Sequence, residues 1–144
     1  QLRKALELAK ELYWKTGEKH FAIIDSDLIV PNLRKIRPDY QIISPCYYAY
    51  HKGKGYIAPW CFGTNFIFDA SMLNYLEFAV LSYRDNKEPV DGWIHFHAPI
   101  RHVIIPGTVH YIKTENGEVK KEITEEDWLE TIRHNPIPVE VMKI

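Results

Sequence analysis

Phe21–Val30, FAIIDSDLIV, constrains the fold more than any other stretch: an apolar run interrupted by two aspartates one residue apart. It reads as a buried strand that ends in the two aspartates. Strand side chains alternate faces, so Asp25 and Asp27 are expected on one side and Ser26 on the other. Two carboxylates side by side at a buried strand end repel each other unless a cation lies between them. Oxygen ligands suit Mg²⁺ or Mn²⁺, and such an ion in turn attracts phosphate oxygens. An Asp-Ser-Asp sequence is equally good turn chemistry, and the two readings stand side by side.

Upstream, Leu2, Leu6, Ala9, Leu12 and Tyr13 recur at helical spacing until Gly17 stops the run. A helix feeding an Asp-tipped strand is half of an α/β unit that normally has earlier strands beside it. The expectation is one α/β domain over residues 1–144, incomplete at its N-terminal side. The chain is 46% hydrophobic and 26% charged, with 18 basic against 19 acidic residues, which excludes disorder and a nucleic-acid-binding polycation. Cys46 and Cys61 are too few for a disulfide framework and read as free thiols in a reducing compartment. With no apolar run of transmembrane length and no signal peptide, a soluble, cytoplasmic protein is expected.

Further along, Pro31–Arg37 reads as a loop or helical turn and Tyr40–Ser44 as a strand. Residues 45–61, rich in Gly, Lys and aromatics, read as a mobile surface loop, first of all an ordinary solvated one and as the alternative a lid closing Lys52 and Lys54 over an anionic ligand. Gly63–Phe68 is a strand, Ser71 an N-cap, and Met72–Arg84 a helix burying Leu73, Leu76, Val80 and Leu81. His102–Ile105 and Val109–Lys113 are strands joined at the Pro106–Gly107 turn. Asn116–Gly117 makes a hairpin with Glu118–Ile123, and a capping box from Thr124 to Asp127 opens a helix to about His134. Pro136 and Pro138 end it, and the tail is extended.

Four histidines, His95, His97, His102 and His110, lie within sixteen residues. Structural zinc sites take four ligands and usually include cysteine, and on a helix His95 and His97 would diverge by about 200°. His110 differs: on a strand after a tight turn, it can reach an ion held by Asp27.

In order along the chain stand the helix Leu2–Thr16, IIDSD (Ile23–Asp27), GTNFIFDASML (Gly63–Leu73), Asp91 in PVDGW, and IIPGTVHY (Ile104–Tyr111). This series resembles the metal-dependent GT-A fold glycosyltransferases: a DxD motif, a G-x-N element before a helix, an acidic residue opening an acceptor-side helix, and a downstream P…H element. The resemblance implies a Rossmann-like mixed sheet flanked by helices, lacking its N-terminal strands in this chain. It implies Mn²⁺ or Mg²⁺ bridging the diphosphate of a UDP- or GDP-sugar, held by Asp27, Asp25 and His110, with Asp25 nearer the ribose. It further implies Asn65 and Trp60 on the donor and Asp91 as general base for a carbohydrate, protein or lipid acceptor hydroxyl. Where the family has a basic residue after the acidic position, His95 and His97 stand instead. Two rivals remain from other classes. One is an aspartyl-nucleophile phosphatase using the DxD pair; the other is a non-catalytic His-rich module binding metal or glycan.

Overall fold

The computed structural model describes residues 1–50, 57–60, 63–84, 89–111, 124, 126, 129, 130, 133 and 137–144, with backbone alone for 48–50 and 57–60. The architecture is mixed α/β, its strands pairing in both senses. The chain forms two compact units: Gln1–Ile24, Arg37–Ser44 and Phe62–Arg101 in the first, and Asp25–Ile36, Pro45–Cys61 and His102–Ile144 in the second.

In the first unit, α1 (Leu2–Thr16) buries Leu6 and Ala9 and ends at Gly17. Gly17 takes a left-handed conformation (φ 73°), and its N–H donates to the Tyr13 carbonyl. That is the residue type that reaches this region without a Cβ clash. Leu12 and Tyr13, expected on the buried face, are each 38% exposed, so the apolar stripe is narrower than its spacing suggests. Strand β1 (His20–Ile23) pairs antiparallel with β5 (Phe66–Asp69), His20 opposite Asp69, and β5 pairs antiparallel with the start of β3 (Ile42–Tyr50). Every residue of β5 is buried, as expected for a strand hydrogen-bonded on both edges and covered on its faces.

Helices α2 (Leu73–Ser82) and α3 (Val90–His97) complete this unit. Its core gathers Leu6, Ala9, Ile42, Phe66, Phe68, Leu73, Leu76, Ala79 and Ile94. Each large apolar side chain so buried contributes about 1.5–3 kcal/mol against exposure, so packing rather than local propensity holds these short elements. Ala79 takes the core position expected of Leu81, which is 49% exposed. The cap before α2 is also not Ser71. Asp69 accepts from the Ser71 backbone N–H at 2.8 Å and caps the 3₁₀ turn Ala70–Met72 that leads into the helix.

The second unit shows how the strand within Phe21–Val30 ends and corrects the placing of its two aspartates on one strand face. Strand β1 stops at Ile23, and the Leu28 N–H donates to the Asp25 carbonyl at 3.1 Å, closing a turn through Ser26 and Asp27. Asp25 and Asp27 therefore stand on a turn and not on one strand face; local Asp and Ser turn chemistry overrides the apolar run. The chain resumes as β2 (Leu28–Ile29), paired antiparallel with β7 (Val109–His110). The Pro106–Gly107 turn leads into β7, with Gly107 left-handed at φ 84°.

Residues 45–50, expected in a mobile loop, continue β3 instead and pair antiparallel with β4 (Ile57–Trp60), Tyr47 opposite Trp60. The aromatic, β-favouring run outweighs the nearby glycines. Cys46 is disulfide-bonded and buried in a cluster with Ile104, Val139 and Val141, which overturns the free-thiol reading and removes that reason for placing the chain in a reducing compartment. The chain's other cysteine, Cys61, follows Trp60 and lies outside the described residues. The extended tail is a strand, β8 (Val139–Val141), parallel to β6 (Ile100–Ile104).

Positions 126, 129, 130 and 133 are helical, within the helix expected after Thr124. Lys52, Lys54, the Asn116–Gly117 hairpin and Asp127 lie outside the described residues. Among the described residues no helix is long and apolar enough to cross a membrane.

Candidate functional site

The turn Asp25–Leu28 and the β2–β7 ladder are what bring the second unit's chemistry together. Leu28 lies opposite His110 in the register, and the Tyr111 N–H donates to the Asp27 carbonyl at 2.7 Å, carrying the pairing one step past the strand. Asp27 and His110, 83 residues apart in sequence, meet here: Asp27 Oδ2 lies 2.8 Å from His110 Nε2. The Asp27 side chain is 53% exposed and that of His110 17%, so the pair has an open carboxylate and a largely enclosed imidazole. Tyr47 packs edge-on against the His110 ring, centroids 4.7 Å apart, and fixes its plane. Asp25 shares the same turn and is exposed.

Two buried polar atoms beside this pair have no hydrogen-bond partner among the described residues: His110 Nδ1 and Thr108 Oγ1. Buried polar groups without partners are uncommon and mark places where a solvent molecule, an ion or a ligand completes the structure. Thr108 stands two residues before His110, where its N–H donates to the Ile105 carbonyl at 3.1 Å and closes the turn that leads into β7.

The donor set has the right types for a cation. Ligands about 2.1 Å from an ion and adjacent in an octahedron lie roughly 3.0 Å from each other, close to the Asp27–His110 separation. An imidazole nitrogen beside carboxylate oxygen suits Mn²⁺ and its transition-series neighbours better than Mg²⁺, which prefers oxygen alone. With Nε2 facing the cation, the Nδ1–H would ordinarily be held by an acceptor; the orphaned Nδ1 is where that support is missing.

The other expected site residues belong to the first unit or are described by backbone alone. Asp91 stands in the first turn of α3, where its Oδ1 accepts from the Gly92 N–H at 2.9 Å. Asn65 is buried at 2% exposure just before β5. Trp60 is described by its backbone in β4. His95 and His97 lie on helix α3 and serve local roles. His95 Nε2 donates to the Gly63 carbonyl at 2.8 Å, and His97 stacks on Trp93 with centroids 3.8 Å apart. Burial holds His95 below the ordinary histidine value, only partly offset by the Gly63 hydrogen bond and the charge of Asp91. His102 is buried in β6.

One group escaped the sequence reading. His20, Asp39 and Asp69 bring their ligand atoms within 4.8 Å of one another in the first unit. No local spacing links positions 20, 39 and 69; the β1–β5 register and the turn before β3 bring them together. Asp69 lies below the ordinary carboxylate value. Burial alone would raise it, but the Ser71 and Tyr40 amides, the Ser71 hydroxyl and the nearby His20 charge together outweigh that.

Among known proteins, the chain is 47% identical over 119 residues to Uncharacterized protein 209 of Sulfolobus islandicus rod-shaped virus 1. The aligned part covers 80% of this chain and 57% of that protein, so the chain spans somewhat over half the length of the curated relative it matches. No family model matches, and no solved structure matches.

Proposed function

We propose that the Asp25–Leu28 turn and His110 hold a divalent cation that receives the diphosphate of a nucleotide sugar, and that the chain is the metal-binding part of a glycosyltransferase. The observation that carries this is the 2.8 Å approach of Asp27 to His110 across 83 residues, next to a second carboxylate at Asp25. In this reading Asp27 and His110 ligate and Asp25 lies toward the ribose or a metal-bound water. A cation so held would stabilise charge growing on the leaving diphosphate, a contribution of several kcal/mol. Tyr47 fixes the imidazole plane, and the exposed face of Asp27 leaves the site open to phosphate oxygens. The antiparallel β1–β5 pairing is not the parallel arrangement of a Rossmann-like sheet, so the proposal rests on the turn site and the order of motifs rather than on the sheet. Asp91, in the first unit, is offered as general base only by the resemblance.

The test is calorimetric titration of UDP and GDP into the protein with and without Mn²⁺. Binding that needs Mn²⁺ and disappears in Asp27→Ala supports the reading, while nucleoside-diphosphate binding unchanged in Asp27→Ala overturns it. Mn²⁺ binding at this pair without any nucleotide affinity would favour the non-catalytic metal-binding module instead. Sugar release from a panel of UDP- and GDP-sugars then tests the reaction itself.

A further inference from the structure

The first unit contains a second convergence of ligand atoms, built from three separate segments. His20 opens β1, Asp69 closes β5 directly opposite it, and Asp39 sits in the turn before β3. His20 Nε2 lies 2.8 Å from Asp39 Oδ1 and 3.9 Å from Asp69 Oδ2.

The backbone fixes this arrangement. The Asp69 N–H donates to Gln41 O at 3.1 Å, the Ala70 N–H to Lys19 O at 2.7 Å, and the Gln41 N–H to Pro38 O at 3.0 Å. The Asp69 side chain is only 10% exposed, and its two oxygens accept from the Ser71 and Tyr40 amides. A carboxylate oxygen carries two lone pairs, so Oδ2 keeps one for a further partner after the Tyr40 amide is counted. Tyr40 itself is held at φ 57°, a left-handed conformation unusual for a tyrosine, in the turn that carries Asp39 past His20.

Charge bookkeeping separates this group from an ordinary ion pair. One imidazole nitrogen faces two carboxylates, yet it carries at most one proton, and at 2.8 Å that proton serves Asp39. The Asp69 oxygen at 3.9 Å is left facing the same nitrogen from beyond hydrogen-bond range. A divalent cation among the three satisfies all of them: one nitrogen and two oxygens, separated by 2.8 and 3.9 Å along the histidine edges. Ligands about 2.0–2.1 Å from one tetrahedral ion lie roughly 3.4 Å apart, between these two separations.

We propose that His20, Asp39 and Asp69 form a divalent-cation site of the transition-metal class, with three protein ligands and water in the remaining positions. A nitrogen–oxygen donor set points away from Ca²⁺ and Mg²⁺ toward ions such as Zn²⁺. Asp39, at 64% exposure, forms the open side through which the ion enters and water completes its coordination. The site needs nothing from Asp27 or His110 and holds whether or not nucleotide sugars bind.

The test is titration with Zn²⁺ of a variant carrying Asp27→Ala and His110→Ala, which removes the other metal candidate. One tight equivalent is expected to remain. Adding Asp39→Asn, a change at an exposed side chain, is expected to weaken it about tenfold or more, and adding His20→Gln to abolish it. Circular dichroism confirms that each variant is folded. Loss of the equivalent in the starting variant, or affinity unmoved by both Asp39→Asn and His20→Gln, overturns the proposal. Asp69 is left unchanged because it also caps the turn into α2.

Discussion

Thr108→Val measures what the unpartnered hydroxyl near His110 costs the fold. Thr108 is fully buried, and its Oγ1 has no partner among the described residues. Valine has nearly the same shape and the same branching at Cβ. The exchange removes a desolvated hydroxyl, a burden of about 1–3 kcal/mol in proteins, and puts a methyl group in the same space. A gain of about 1–2 kcal/mol is therefore expected. For a chain of 144 residues the unfolding entropy is about 0.3 kcal/mol per kelvin, so the midpoint of thermal unfolding should rise by about 3–6 °C. Urea titration followed by circular dichroism measures the same gain as a higher midpoint at unchanged slope. Stability that stays level or falls would refute the reasoning. The hydroxyl would then be bonded, with an enclosed water between Thr108 Oγ1 and His110 Nδ1 as the natural candidate. The metal reading would gain from that result, since such a water would supply the acceptor that a ligating His110 needs at Nδ1.

Two further outcomes follow from single residues. Gly107→Ala meets two obstacles at once, a left-handed φ of 84° and a new Cβ 3.1 Å from Pro31 Cγ, and should cost about 1–2 kcal/mol by urea denaturation; wild-type stability would show that the turn relaxes freely. His95 is held below the ordinary histidine value by burial, so the unfolded chain binds its proton more readily than the folded one. Its contribution to stability is complete above about pH 6.5 and declines as the pH falls below that. Stability curves of wild type and His95→Gln between pH 5 and 8 should diverge in slope in that window, and parallel curves would remove His95 from the acid response.

Features set by local chemistry were legible in the sequence. Gly17 ended α1 because only a residue without Cβ takes that left-handed cap readily, and Pro106–Gly107 turned the chain for the same kind of reason. The reading failed where a local signal competed with a longer pattern. The strand ahead of Asp25 and Asp27 was expected to carry both on one face, yet it stops at Ile23 and turn chemistry holds the pair. Residues 45–50 looked like loop because glycines and lysines follow, but aromatic side chains with a pairing partner made strand. Asp69 was hidden as a cap because Ser71 is the more familiar residue there, and the capping bond comes from two positions earlier. The meeting of Asp27 with His110 was anticipated from the place of His110 on a strand after a tight turn and from the resemblance, whereas His20, Asp39 and Asp69 had no spacing to betray them. Long-range register alone creates that group.

The two units are not successive pieces of chain. Each is assembled from three segments, and the backbone passes between them five times, at residues 24–25, 36–37, 44–45, 61–62 and 101–102. No single cut separates them, so conventional domain dissection would mislead. A fragment ending at Arg101 retains every segment of the first unit but discards His110, Thr108 and the strands that shelter Cys46. A fragment starting at Asp25 loses α1 and His20 together. Gene fusion, truncation mapping and limited proteolysis should accordingly report this chain as one inheritable block, and point substitutions are the way to assign its two metal candidates separately.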